Sequence, residues 1–191
     1  MRFEICHCKF TIRISFLLII SLLLMLDTTG FLSWGLLAAI IHELSHIFMM
    51  ILCGRIPKKI CLTAFGAEIS ASSEKTSYQK DCLVNLSGPA MNLLLGGLLF
   101  LLGNQTVFAQ MNLALGLFNL LPIIPLDGGQ VLFSLLCLYF PENTVEKILK
   151  IISFCILVPL GILGFIILFH SKWNFSLLLC SIYLMAFLLL K

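Results

Sequence analysis

Five consecutive residues, His42-Glu43-Leu44-Ser45-His46, have the side chains and spacing of a hydrolytic zinc site. Two histidines four residues apart lie on one face of a helix, where their imidazoles can share one zinc ion. Glu43, next to the first histidine, can reach a water molecule on the metal and take its proton. The motif fixes only three positions and arises often by chance, so the rest of the chain must support it.

A catalytic zinc site generally has three protein ligands and one open position, so a third ligand is expected elsewhere. Outside the motif, two acids are candidates at membrane depth, Asp27 and Asp127. His46 precedes Arg55 by nine residues, which places the metal roughly 13 Å inside the nearer membrane boundary. Asp27 belongs to the opposite boundary, whereas Asp127 lies near mid-membrane beside two glycines. Asp127 is therefore predicted as the third ligand.

The chain is too apolar to be a soluble domain of its length. Of its 191 residues, 60% are hydrophobic and 11% charged, with a mean hydropathy of +1.10. A membrane-spanning helix needs about 20 apolar residues. Six candidate spans are predicted, the first as a retained helix: 12–26, 31–53, 82–103, 106–126 continuing to about 140, 149–169 and 173–190. Ionisable side chains at bilayer depth are costly, so a zinc motif in the second span indicates a hydrolase working inside the membrane.

The positive charges predict the orientation in the cell membrane. Basic residues concentrate before the first span, between the second and third, before the fifth and at the end of the chain. The alternate loops 27–30 and 104–105 contain no Lys or Arg, and only Lys172 departs from the pattern. The positive-inside rule then places both termini and the 54–81 loop in the cytoplasm of a multi-pass protein. The net charge of +3 is too small to indicate a nucleic-acid partner.

Three interruptions of the apolar pattern predict local structure. Residues 59–65 and 66–70 resemble two short strands around a glycine turn, with an irregular loop as the alternative. In the third span, Pro89 and Asn92 require a neighbour that buries the amide. Residues 119–129 contain two prolines and two glycines and cannot remain regular helix. Irregular backbone at membrane depth occurs only where protein buries it or where it lines a wet cavity, so this break marks a site.

Three motifs in this order resemble the site-2 protease family of intramembrane zinc metalloproteases. They are His42-Glu43-x-x-His46, Gly88-Pro89-x-x-Asn92 and Asn119-x-x-Pro122-x-x-Pro125-Leu126-Asp127-Gly128. The resemblance covers about 31–140 and is greatest to the bacterial sporulation-type branch. It implies an all-α polytopic membrane protein of about six transmembrane helices around a three-helix zinc-protease core. A short β-hairpin after the second span would be added to that core.

The resemblance also implies roles for individual residues. One zinc ion per chain would be held by His42, His46 and Asp127, with Glu43 as the general base of a zinc metalloendopeptidase. Asn92 and Asn119 match asparagines that face the family's site. Each amide could hold the scissile carbonyl or stabilise its oxyanion, or could instead bond the broken helices to each other.

The implied substrate is a membrane protein, such as a membrane-tethered transcription regulator cleaved in regulated intramembrane proteolysis. A transmembrane helix hides its carbonyls in hydrogen bonds, so the substrate must first unwind locally. The 59–70 hairpin could then accept it as an added strand, and prolines in the 59–65 strand should slow cleavage. This sequence shows neither a PDZ-like insertion nor a CBS-type domain, so a membrane partner or the membrane-proximal loop is expected to gate the enzyme.

The chain is expected to form a single membrane domain, 1–191. Its parts are an N-terminal span (1–30), the catalytic core (31–140) and a two-helix extension (141–191). Two other functions use the same residues. A zinc or other divalent-metal transporter would spread acids and histidines along a path, whereas here they converge on one point. A catalytically silent membrane scaffold would not require Glu43 together with all three ligands.

Overall fold

The computed structural model describes residues 2–5, 8–12, 21, 25, 27, 30–55, 57–63, 66–71, 77–104, 106–170 and 176–190. Within these ranges there are six helices and four strands. The helices are α1 (Phe31–Leu52), α2 (Tyr78–Leu101), α3 (Val107–Asn119), α4 (Asp127–Leu136), α5 (Glu142–His170) and α6 (Ser176–Leu190). The strands are β1 (Arg2–Ile5), β2 (Cys8–Ile12), β3 (Pro57–Thr63) and β4 (Gly66–Ala71).

The helices follow the apolar pattern of the sequence, and the predicted helical membrane architecture is confirmed. Helices α1, α2 and α5 are long and apolar enough to cross a membrane, and α3 and most of α6 are shorter apolar helices. The fourth apolar stretch is divided into α3 and α4, as its proline and glycine content requires. The predicted first span, 12–26, lies almost entirely outside the described residues.

The four strands form one sheet in the order β1-β2-β3-β4. Strands β3 and β4 pair antiparallel, with Ile60 opposite Ile69, so the predicted hairpin is confirmed. Strand β2 pairs in parallel with β3, with Lys9 opposite Lys59, and β1 completes the sheet; neither N-terminal strand was predicted. Because β3 has a neighbour on each side, β4 is the strand of the 59–70 hairpin that lies at an outer position, so strand addition stays a prediction for β4. Among the described strands, β1 and β4 are the outer ones.

Contacts group the chain into two compact units, the first comprising 1–76 with 87–117 and the second 77–86 with 118–191. In the first, α2 and α3 approach so closely that glycine is required on both helices. A Cβ added at Gly96 would lie 2.9 Å from the carbonyl oxygen of Ala109, and one at Gly116 would lie 3.1 Å from that of Pro89. Small residues at such contacts are typical of helix packing in membranes.

The second unit is built around the irregular segment 120–126. Ile123 is fully buried and forms a core with Leu157, Leu184 and Leu188 of α5 and α6. The backbone N–H of Ile124 donates to the hydroxyl of Ser153 on α5 at 3.0 Å, and the Ile124-Pro125 peptide is cis. The centre of the irregular segment is thus buried by protein at Ile123, while its other residues are half-buried.

Candidate metal centre

Helix α1 positions both histidines of the motif on a buried face. His42 and His46 are only 6% and 8% exposed, although α1 carries many exposed apolar side chains. Their Nε2 atoms are 3.2 Å apart, and the two rings meet edge-on at an interplanar angle of 83°. The spacing of four residues therefore brings the same nitrogen of each imidazole to one point, as the helical period requires.

The distance between the two Nε2 atoms fits a shared zinc ion. Two nitrogens bound tetrahedrally at about 2.0–2.1 Å from zinc are about 3.3 Å apart. The observed 3.2 Å between the two nitrogens differs from that value by less than the roughly 0.2 Å expected of metal–ligand distances. The imidazoles would need little movement to become ligands.

The carboxylate of Asp127 completes the donor set. Asp127 is the first residue of α4, after Leu126 in extended conformation. One ligand atom each from His42, His46 and Asp127 lie within 4.8 Å of one another, so these residues could hold a metal ion. Two imidazoles and a carboxylate with an open fourth position are a common arrangement of catalytic zinc, and the residues present therefore fit zinc.

Helix α2 packs its small residues directly against the histidines. A Cβ added at Gly88 would lie 2.3 Å from His46 Nε2 and 2.9 Å from His42 Cε1, so any larger residue would overlap the imidazoles. The neighbouring Ser87 donates its hydroxyl to the carbonyl of Ser45 at 3.1 Å. Sequence analysis placed Gly88 in the Gly88-Pro89-x-x-Asn92 motif without giving it a role of its own, and it did not single out Ser87. The signal for Ser87 was its place as a small residue beside that motif inside an apolar span.

Glu43 follows His42 on α1 and is partly buried. Its place next to His42 is set by the helix itself. Asn92 is fully buried and its Nδ2 lies 3.5 Å from the carbonyl oxygen of Ala38, one turn before His42. This contact favours the second of the two predicted roles, an amide that bonds helices together. Asn119 is the last residue of α3 and is partly exposed, at the start of the irregular segment.

A second buried amide was not singled out from the sequence. Asn112 on α3 is fully buried and its Nδ2 donates to the carbonyl of Phe108 at 2.8 Å. Its Oδ1 has no hydrogen-bond partner among the described residues, and the same is true of Asn92 Oδ1. Apolar neighbours in the sequence give no indication of which side of α3 faces the protein, so burial of Asn112 could not be predicted.

Comparison with known proteins agrees with the fold and with this donor set. Residues 104–160 match the family model described as Peptidase family M50. In structure, the chain resembles the site-2 protease from Methanocaldococcus jannaschii with a TM-score of 0.69 and 21% identity, covering 96% of this chain and 91% of that one. The predicted resemblance to the site-2 protease family is confirmed.

Two curated relatives carry names from the same family. Stage IV sporulation protein FB of Bacillus subtilis is 30% identical over 149 residues, 72% of this chain. A zinc metalloprotease of Methanocaldococcus jannaschii is 26% identical over 110 residues, 52% of this chain. The chain spans 52% and 32% of their respective lengths. With the M50 match and the His42, His46 and Asp127 group, the predicted zinc cofactor of this site-2 protease-like chain is confirmed.

Proposed function

We propose that the chain is an intramembrane zinc metalloprotease that hydrolyses peptide bonds in or near a transmembrane segment of another membrane protein. The observation that carries the proposal is the convergence of two buried imidazoles and one carboxylate on a single point. These residues are beside apolar helices long enough to cross a membrane. The match to the M50 family and the names of the relatives support the same activity.

The proposed roles follow from the side-chain chemistry. His42, His46 and Asp127 hold zinc, which when bound supplies a Lewis acid that polarises the scissile carbonyl and acidifies water. Glu43 takes a proton from the attacking water and returns it to the leaving amine nitrogen, so that it ends the cycle as a carboxylate. Asn119, partly exposed where the helix breaks, is the better candidate to bind the substrate carbonyl. Asn92, fully buried against α1, keeps α2 in place beside His42.

The sheet supports the proposed cytoplasmic location of both the N-terminus and the 54–81 loop. Parallel pairing of β2 with β3 requires residues 9–12 and 59–62 to lie on the same side of the membrane. Lys9 and Lys59 lie within these two segments and further Lys and Arg residues lie around them, which supports the cytoplasm as that side. The proposed protein is thus multi-pass, with its peptidase site opening toward the cytoplasmic side.

The free edge of β4 is the proposed acceptor for a locally unwound substrate strand, such as one from a membrane-tethered regulator. Prolines are introduced singly at Ala67, Glu68 and Ile69. Where the backbone N–H that is removed points away from β3, cleavage should be slower and zinc should be retained. A proline at Glu4 in β1, on the opposite edge, is the matched control and should leave cleavage unchanged. Equal rates for all four variants would contradict strand addition to β4.

Metal content and cleavage test the proposal together. The detergent-purified protein should contain about one zinc per chain, retained in Glu43→Ala and lost in Asp127→Ala. In liposomes that contain a single-span model substrate, wild type should cleave and both variants should not. A wild type without zinc, or Asp127→Ala with zinc, would contradict the proposed ligand set. Zinc flux across the liposome membrane without cleavage would instead indicate a transporter.

A further inference from the structure

The hydroxyl of Ser87 lies between α2 and the zinc-binding face of α1. It donates to the carbonyl oxygen of Ser45 at 3.1 Å and lies 3.5 Å from Nδ1 of His46. Ser45 and His46 are consecutive residues of α1, and both are buried. Ser87 therefore contacts the backbone and the ligand side chain of the same helical turn.

The donors and acceptors in this cluster determine the direction of each hydrogen bond. A serine hydroxyl has one hydrogen to donate and two lone pairs to accept. Because that hydrogen is given to the Ser45 carbonyl, only a lone pair faces His46. A contact between Ser87 and Nδ1 is then favourable only when Nδ1 carries the hydrogen of the neutral ring.

That tautomer is the one zinc needs. The nitrogen of His46 that faces His42 is Nε2, and it can bind a metal only through a free lone pair. In a neutral imidazole, a hydrogen on Nδ1 means that Nε2 carries no hydrogen, so the Nε2 lone pair is available to a metal. Outer-sphere partners that fix the tautomer and orientation of a ligating histidine are usual in zinc sites.

We propose that Ser87 is a positioning residue for His46: its hydroxyl accepts from Nδ1–H and thereby presents Nε2 to the metal. The proposal rests on the zinc site of the proposed function. It assigns different tasks to the two small residues of α2. Gly88 leaves space for the imidazole, since a Cβ there would lie 2.3 Å from Nε2, and Ser87 sets the ring's tautomer and orientation.

Zinc affinity of the full-length protein in detergent tests the proposal without any need for a substrate. Affinity is measured by competition with a chelator of known strength. Ser87→Ala should bind zinc about 10–100-fold more weakly than wild type. The pair Ser87→Thr and Ser87→Val isolates the hydroxyl, because the two side chains have nearly the same shape. Thr should restore binding and Val should not.

Ser181→Ala serves as the control. Ser181 is also buried, but its hydroxyl donates within α6, to the carbonyl of Leu178 at 2.8 Å. Its zinc affinity should equal that of wild type. Cobalt substitution gives a second readout: the visible absorption of bound Co²⁺ should be altered in Ser87→Ala and Ser87→Val and restored in Ser87→Thr.

Three outcomes would overturn the role of Ser87. They are a Ser87→Ala affinity within about threefold of wild type, equal affinities for the Thr and Val variants, and a loss of affinity in Ser181→Ala as large as that in Ser87→Ala. Far-UV circular dichroism establishes that each variant is helical. If Ser87→Ala does not fold, the comparison of zinc affinity between Ser87→Thr and Ser87→Val decides whether the hydroxyl is needed. Failure of wild type to bind zinc would instead contradict the proposed function, so the two failures are distinguishable.

Discussion

Replacing Gly88 by alanine should remove zinc from the protein while leaving its helices intact. The new Cβ would lie 2.3 Å from Nε2 and 2.7 Å from Cε1 of His46. Contacts between such atoms are optimal at about 3.5–4.0 Å, so the imidazole would have to move by about 1.2 Å. Metal–ligand distances tolerate deviations of only about 0.2 Å. His46 would thus cease to be a ligand, and zinc affinity should fall by more than about 100-fold.

The matched control is Gly97→Ala in the same helix. A Cβ at Gly97 would have no atom within 4 Å among the described residues. Both substitutions replace glycine by alanine inside α2, and alanine favours a helix by about 1 kcal/mol relative to glycine. Gly97→Ala should therefore keep wild-type zinc affinity and be as stable as wild type or more so. The zinc content of the two purified variants, measured beside their thermal unfolding, gives the comparison.

Zinc retained at wild-type affinity in Gly88→Ala would refute this reasoning. It would mean that α2 can move away from α1 by more than an ångström at no cost, or that His46 is not a ligand. Loss of zinc from both variants would indicate a general effect of alanine on α2 and would equally contradict the argument from contact.

Three further substitutions test the packing around the site. Gly116→Ala places a Cβ 2.9 Å from Cγ of Leu93 and should lower stability by about 1–3 kcal/mol, seen as a lower unfolding temperature; an unchanged temperature would show that the helices can separate freely. Gly128→Ala places a Cβ 2.2 Å from the carbonyl oxygen of Leu120, a backbone atom that cannot rotate away, so the purified variant should lack zinc; normal zinc content would contradict this. Asn112→Leu removes an amide whose Oδ1 has no hydrogen-bond partner in the described part of the chain, and stability should stay equal or rise by about 1 kcal/mol; a clear loss would show that the amide is satisfied.

Apart from the grouping of Asp127 with the two histidines, which the depth estimate predicted, the features predicted from the sequence have short-range physical causes. Helical periodicity is enough to place His42 and His46 on one face of α1. The prolines and glycines of 119–129 are enough to predict that the fourth apolar stretch cannot remain regular helix there. Glycine turn chemistry likewise predicted the hairpin of β3 and β4, which the structure confirms with strands over 57–63 and 66–71.

The features that were missed depend on neighbours distant in sequence. Strand β2 is five residues long and pairs with β3, more than 40 residues away, so no local pattern indicates its partner. The need for glycine at Gly88 arises only because the imidazoles of α1 occupy the space beside it. The burial of Asn112 arises in the same way from the packing of α3, where both sequence neighbours, Met111 and Leu113, are apolar. Such requirements are set by tertiary contacts and appear only with the structure.

The parallel pairing of β2 with β3 also determines the order in which the sheet can form. The β3–β4 hairpin is local, whereas residues 13–56, including α1, separate β2 from β3. Contacts that are local in sequence cost less loop-closure entropy than those that must close a long loop, so we expect the hairpin to form first and the N-terminal strands to be added to it. In the proposed membrane topology, the chain between Ile12 and Pro57 crosses the bilayer an even number of times, because β2 and β3 pair on one side. The sheet would then report on topology: a chain inserted with an odd number of crossings there could not pair these two strands.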